Sequence, residues 1–182
     1  MNQLTIDQLL NLAQESLSFD DPIDERYYAS EVQYYPFLFL VSRALDPALI
    51  VELGTGEKGR STAHFAFGAP NARVIGIDYN PPKSSFPYPN LEFWAADTTK
   101  MSQKVADLGI PIEMLFIDST HTTEHLLLEY HLYYPLMKKG GIILFDDIHM
   151  SGMVAGWESL PEPKVELPNL HAHLGFGAVI VQ

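Results

Sequence analysis

Five short apolar runs, each followed at once by a carboxylate or a glycine turn, constrain this 182-residue chain more than any other feature. They occupy 49–53, 73–77, 91–95, 112–117 and 142–145, and they lack the apolar/polar alternation of a half-solvated sheet. Continuous runs of this length read as strands buried on both faces. Helical stretches separate them: 60–67 with Ser61 and Thr62 at its mouth, 99–108, and 122–137, whose end is marked by Lys138, Lys139 and Gly140-Gly141. Strand, turn and helix in repetition predict a doubly wound α/β fold around a mostly parallel sheet.

The flanks differ in texture. Leu4, Leu9, Leu10, Leu12 and Leu17 fall near helical spacing over 4–18, with Thr5 or Asp7 as N-cap. Residues 24–45 are rich in Tyr and Phe and are interrupted by Pro36, which predicts two short helices or one kinked at the proline. The chain therefore divides into an N-terminal helical cover, 1–46, and one compact unit, 47–182. The aromatics of the cover (Tyr27, Tyr28, Tyr34, Tyr35, Phe37 and Phe39) read as core and packing, with one wall of a pocket as their functional use. Four prolines at 81, 82, 87 and 89 make 79–90 a rigid loop. After the fifth run the sequence is loop-like until a last strand over 175–181, an abbreviated C-terminal strand region.

Composition narrows the partners. Apolar residues make up 47% and charged ones 19%, enough for a filled core. Eleven basic against 23 acidic residues give a net charge of -12, which repels nucleic acid and slightly favours a neutral or cationic ligand over an anionic one. No apolar run is long enough to span a membrane, and MNQLTIDQLL is not a secretory leader. With no cysteine there is no disulfide and no thiolate chemistry. A cytoplasmic domain is expected. The N-terminal helices leave room for a homo-oligomer contact, but no pattern specifies one.

In open parallel sheets ligands bind outside the carboxyl ends of the strands. The five runs end, in chain order, at Glu52-Leu53-Gly54-Thr55-Gly56, Asp78, Asp97, Asp118 and Asp146-Asp147. One acid there is explained by helix capping; five consecutive strands delivering one are not. Gathered like charges call for a cation or hydroxyl donors. Gly54-Thr55-Gly56-Glu57-Lys58-Gly59 is a formal G-x-G-x-x-G between strand and helix. Asp78 follows Gly59 at the distance at which an acid meets ribose hydroxyls.

The ordered set Val51-Glu52-Leu53-Gly54-Thr55-Gly56, Gly76-Ile77-Asp78, Ala96-Asp97-Thr98, Leu115-Phe116-Ile117-Asp118 and Lys139-Gly140-Gly141 resembles the class I S-adenosylmethionine-dependent methyltransferases. The acid two residues before the first glycine separates it from ordinary NAD-binding folds. The resemblance implies a Rossmann-like methyltransferase fold. It also implies that Glu52 and the Gly54, Thr55 and Gly56 backbone face the methionine part of the cofactor. Asp78 would take the ribose hydroxyls, Tyr79 would lie beside the adenine, and Asp97 would accept from the adenine amino group, with Asp118 at the same site.

The second half is similar to a narrower group, the metal-dependent small-molecule O-methyltransferases and their macrolide-sugar relatives. Asp118-Ser119-Thr120-His121 and Gly140-Gly141-Ile142-Ile143-Leu144-Phe145-Asp146-Asp147-Ile148-His149 carry this likeness. It implies one divalent ion on Asp118, Asp146 and Asp147, with Mg²⁺ suited to oxygen ligands. The ion would acidify a substrate hydroxyl, and His149 or His121 would take the proton. Ser119-Thr120 departs from the Gly-Asp common in relatives. His125 and His131 read as ordinary helix residues, Trp94 as packing, and Trp157 as a candidate substrate contact; His171 and His173 resemble a metal pair, but alternation along a strand would send them to opposite faces, so they read as surface residues.

Methyl transfer to an oxygen of a small molecule is thus the leading expectation. Beside it stand the same fold binding S-adenosylmethionine without transfer, an NAD-dependent oxidoreductase, and a non-catalytic interaction module. Glu52 and the acidic end of strand five argue against the oxidoreductase.

Overall fold

The sheet runs through the centre of the molecule, and its strand order follows from where the apolar runs end up. The computed structural model describes residues 2–19, 23, 34–161, 163–171 and 173–182. Among them seven strands form one sheet: β1 (Leu49–Leu53), β2 (Arg73–Asp78), β3 (Leu91–Ala95), β4 (Ile112–Ile117), β5 (Met137–Asp146), β6 (Lys164–Glu166) and β7 (Phe176–Ile180). The order is β3-β2-β1-β4-β5-β7-β6, with β7 antiparallel to both its neighbours and every other pairing parallel. The progression of strands therefore reverses between β1 and β4, where two neighbouring strands lead their connections to opposite sides. A crevice opens there at the carboxyl edge.

Among the described residues six α-helices cover the two faces: α1 (Ile6–Ser16), α2 (Tyr35–Leu45), α3 (Arg60–Gly68), α4 (Ser102–Ala106), α5 (Thr123–Tyr133) and α6 (Val154–Ser159). Successive side chains of a strand point to opposite faces, so β1 divides its residues between two cores. Ile50 joins Val74, Met114, Phe116 and Leu144 under Leu9, Phe37, Leu38 and Phe65 of the first three helices. Leu49, Val51 and Leu53 join Ile75, Leu115 and Phe145 under Val105, Leu126 and Tyr130 of α4 and α5. β1 and β4 are buried throughout, in keeping with the absence of alternation in their sequences.

The structure departs from the sequence expectation in several places. Pro36 starts α2 instead of breaking it: it lies in the first turn, where its missing N–H leaves no bond unmade. The part of the expected helical stretch over 24–33 lies outside the described residues. The 99–108 helix is a 3-10 turn, Thr98–Lys100, followed by the short α4. The long helix over 122–137 stops at Tyr133, and a 3-10 turn containing Pro135 follows, because proline cannot continue the i→i−4 ladder. Lys138 to Gly141 are not a helix end but the first part of β5. Gly140 N–H donates to the Val181 carbonyl and Val181 N–H to that of Gly141 (2.9 Å each). The loop-like C-terminal stretch contains α6 and β6, both too short to show a period. No helix among the described residues is long and apolar enough to cross a membrane.

Candidate active site

The turn after β1 is built on close approach. Gly54 has φ +86°, and a Cβ there would overlap the Asp118 carbonyl and lie 2.6 Å from Ser119 Cα. The ends of β1 and β4 thus meet with no side chain between them. Asp78, closing β2, ties down the same turn: its Oδ2 accepts from the N–H groups of Thr55 (2.9 Å) and Gly56 (3.0 Å), and its Oδ1 from Asn80 N–H (2.7 Å). An ionised carboxylate has about four acceptor sites, so one is left for a further donor.

Glu52 is fully buried, accepts from Ser61 at the start of α3, and has an Oε2 without a hydrogen-bond partner. Burial pushes its carboxyl up to about 8, with the Asp118 and Asp78 charges adding to the rise against the Ser61 hydrogen bond. Asp97 behaves oppositely. Its Oδ1 accepts from the Thr99 hydroxyl (2.7 Å) and N–H (3.0 Å), and the Tyr79 hydroxyl also donates to it. These bonds hold it well below the usual carboxylate range. Asp97 therefore caps the Thr98–Lys100 turn, and Tyr79 stands exposed beside it.

Two cavities flank this turn. One of about 220 Å³ is lined by Gly54, Gly56, Asp78, Tyr79, Thr98 and Asp118, together with Ser119, Thr120 and His125. A second, of about 410 Å³, is lined by Tyr34, Tyr35, Thr55, Gly56, Lys58, Arg60, Ser61 and Asp118 among others. Gly56 and Asp118 line both, so the two cavities adjoin along the β1 and β4 ends. Arg60 bonds to Tyr35, and its buried Nε has no hydrogen-bond partner.

Beyond Asp118 lies a knot of acids and imidazoles. His121 Nε2 is 3.4 Å from Asp118 Oδ1 and 3.2 Å from Asp147 Oδ2. His171 Nδ1 is 3.0 Å from Asp146 Oδ1 and 3.3 Å from Asp147 Oδ1. Asp146 and Asp147 are each only 5% exposed. Burial, with the charges of Asp146 and Asp147, raises Asp118. Burial raises Asp147, with the Asp146 charge adding to it. Both histidines are raised, His121 chiefly by its bond to Asp118 and His171 by its bond to Asp146. The Tyr34 hydroxyl also donates to Asp146.

The sequence-derived residues are thus divided by the fold. Gly54, Thr55, Gly56, Asp78, Tyr79 and Asp118 line the two cavities, while Glu52 is buried behind Ser61 and Asp97 lies beside Tyr79, neither of them in a wall of these two. Asp146 and Asp147 form a tight cluster with His171, their ligand atoms within 4.8 Å of one another, and Asp118 connects to it through the His121 ring. His149 is turned away: it is exposed, pairs with Glu166 (3.1 Å) and lies over Gly175. Trp157 packs on Gly177 and Phe145 beneath the sheet.

His171 is not the surface residue that the sequence suggests. Residues 168–171 and 173–174 are turns and bends, Gly175 N–H donates to the His171 carbonyl, and His171 is half-buried against Asp146 while His173 stays exposed. No local pattern in the sequence announces that. The sequence marks Tyr34 only as a candidate wall, and Arg60 carries no signal at all.

Comparison with known proteins places this arrangement. A family model described as a methyltransferase domain matches residues 51–148. Among solved structures, cofactor-bound Rv0187 from MTB superposes with a TM-score of 0.66 at 19% identity, over 97% of this chain and 88% of that one. The O-methyltransferase TomG from Streptomyces achromogenes, in complex with SAM, gives 0.65 at 16%, over 100% and 93%. MycE methyltransferase from the mycinamycin biosynthetic pathway, in complex with Mg and SAH, gives 0.62 at 14%, over 95% of this chain and 54% of that one. These likenesses establish the fold, a Rossmann-like methyltransferase sheet. With its matched segment spanning more than half of its length, the chain belongs to the methyltransferase domain family.

Proposed function

We propose that the protein transfers a methyl group from S-adenosylmethionine to an oxygen of a small molecule, with a divalent cation at the β4 and β5 ends. The observation that carries this reading is the pair of adjoining cavities that share Gly56 and Asp118, with the Asp146–Asp147 cluster one imidazole away from Asp118. The 220 Å³ cavity suits the adenosyl group, with the free acceptor site of Asp78 for the ribose hydroxyls and Tyr79 and Asp97 beside the base. The other cavity takes the methionine part, with Lys58 and Arg60 offering positive charge to its carboxylate.

Asp146 and Asp147 stand close enough to hold one divalent cation, and Asp118, the third acid of the expected set, lies across the His121 ring from them. The buried Oδ1 of Asp147 has no hydrogen bond, and a buried carboxylate oxygen in that state is costly unless a cation meets it. A divalent cation held there would make a substrate hydroxyl more acidic. His121 is the proton acceptor: its Nε2 lies between Asp118 and Asp147, which stabilise the imidazolium formed. His149 has no such position. The chain's remaining contribution is alignment, holding cofactor and acceptor on one line of approach. The MycE complex with Mg and SAH and the O-methyltransferase TomG support the reading by analogy of fold.

The test is calorimetric titration with S-adenosylhomocysteine, with and without Mg²⁺. Incubation with S-adenosylmethionine and a panel of hydroxylated small molecules comes next, with mass spectrometry for gain of one methyl group. Binding and a methylated product are expected. Binding with no product across the panel would favour a cofactor-binding protein without transfer, and no binding would remove the assignment.

A further inference from the structure

We propose that His171 is a cation ligand, so that the corner formed by Asp146, Asp147 and His171 takes a divalent transition ion of the Co²⁺ and Zn²⁺ class in preference to Mg²⁺. The inference deepens the cation reading of the proposed function and rests on it.

The geometry is that of a ligand set. Ligand atoms about 2.1 Å from a common centre stand roughly 3–4 Å apart. His171 Nδ1 lies 3.0 Å from Asp146 Oδ1 and 3.3 Å from Asp147 Oδ1. A neutral imidazole carries a single N–H, and Nδ1 holds at most one hydrogen. If that hydrogen is directed at Asp146, nothing is left for Asp147, whose Oδ1 is buried and makes no hydrogen bond. A cation among the three atoms satisfies all of them at once, with Nδ1 then presenting its lone pair.

The imidazole is also held in place. The turn that carries it closes through Gly175 N–H on the His171 carbonyl (3.3 Å), and the Tyr34 ring stands edge-on at 6.1 Å between centroids. Tyr34 itself is buried among Tyr35, Phe116 and Phe176. Asp147 is fixed in the left-handed region at φ +57°, which turns its carboxylate back toward Asp146 and His171. A nitrogen ligand decides the class of ion. Mg²⁺ demands oxygen ligands in near-ideal octahedral geometry, whereas imidazole suits the borderline transition ions.

The experiment uses the full chain freed of metal. Co²⁺ is titrated and followed by its visible d–d absorption, Mg²⁺ by calorimetry, and circular dichroism checks folding throughout. Carboxylates alone also prefer Co²⁺ to Mg²⁺, so the preference itself does not decide the matter; the variants do. His171→Ala, with His171→Gln as a second form should the first misfold, is expected to lower Co²⁺ affinity at least about tenfold and to change Mg²⁺ affinity by less than about threefold. Asp147→Asn is expected to weaken both ions. Equal Co²⁺ affinity in wild type and the folded His171 variant would overturn the role of His171 and leave the carboxylate site standing. Absence of any divalent binding to the wild type would overturn both.

Discussion

The backbone carbonyl of Asp118 occupies the space that a side chain on Gly54 would need. The approach of the β4 end to the β1 turn is thus incompatible with any larger residue at position 54. Gly54→Ala combines that overlap with a φ of +86°, whereas Gly109, at φ +66°, has nothing within 4 Å of an added methyl. Gly109→Ala should cost about 1–2 kcal/mol, the strain of the left-handed region alone, and Gly54→Ala clearly more. Urea unfolding of the two variants checks this, and equal losses would show that the β1–β4 approach is softer than it looks.

Glu52 gives a pH prediction with a definite sign. Its folded-state value is about 8 against an ordinary 4.5, so between those limits the folded chain binds the proton that the unfolded chain has released. Stability from this group is therefore fully present below about pH 4.5 and is lost as pH rises toward 8. Glu52→Gln keeps an acceptor for Ser61 and cannot ionise. The variant should match wild type near pH 4.5 and exceed it by roughly 2–4 kcal/mol at pH 9, measured as the difference between two unfolding curves at each pH. A constant difference across the range would contradict the assignment.

Glu129 of α5 is buried and receives the Thr98 hydroxyl, the Ser119 hydroxyl (2.8 Å to each oxygen) and the His125 ring (3.0 Å). Those three donors also line the smaller cavity. Glu129→Ala leaves them without their acceptor and should cost about 2–4 kcal/mol, with weaker S-adenosylhomocysteine binding as well. Glu129→Gln retains one acceptor and should lose less. An alanine variant as stable as wild type would mean that water replaces the carboxylate at no cost.

His121 is expected to act on rate and not on cofactor affinity. His121→Asn should bind S-adenosylhomocysteine as wild type does while methyl transfer falls by roughly 10²–10⁴-fold. Loss of the His121 proton should make the wild-type rate climb with pH, a limb missing in the variant. Rates measured by mass spectrometry on an acceptor from the hydroxyl panel decide it. An unchanged limb would assign the proton to another group.

The sheet is legible in the sequence because burial on both faces removes alternation, and β1 and β4 carry that signature along their whole length. The acids at the strand ends are legible for the same reason, since a strand boundary fixes where the next residue emerges. The first part of β5 is hidden: Lys138 and Lys139 are exposed, and what makes them strand is backbone pairing, Met137 with Ile112 and Gly140 with Val181. Loop side chains are harder still. His149 and His171 are equally polar residues near the same sheet edge, yet one meets Glu166 and the other Asp146, because the direction of a ring is decided by contacts far away in sequence.

Tyr34 belongs to two places at once: it walls the larger cavity and its hydroxyl holds Asp146. A molecule seated in that cavity would lean on the ring whose hydroxyl meets Asp146, one of the carboxylates proposed to hold a cation. If the two places are coupled through Tyr34, filling either would alter the free energy of filling the other, and by equal amounts in both directions. The order in which the two are filled leaves the total unchanged, and Tyr34→Phe, which keeps the wall and removes the tether, separates the two sites thermodynamically.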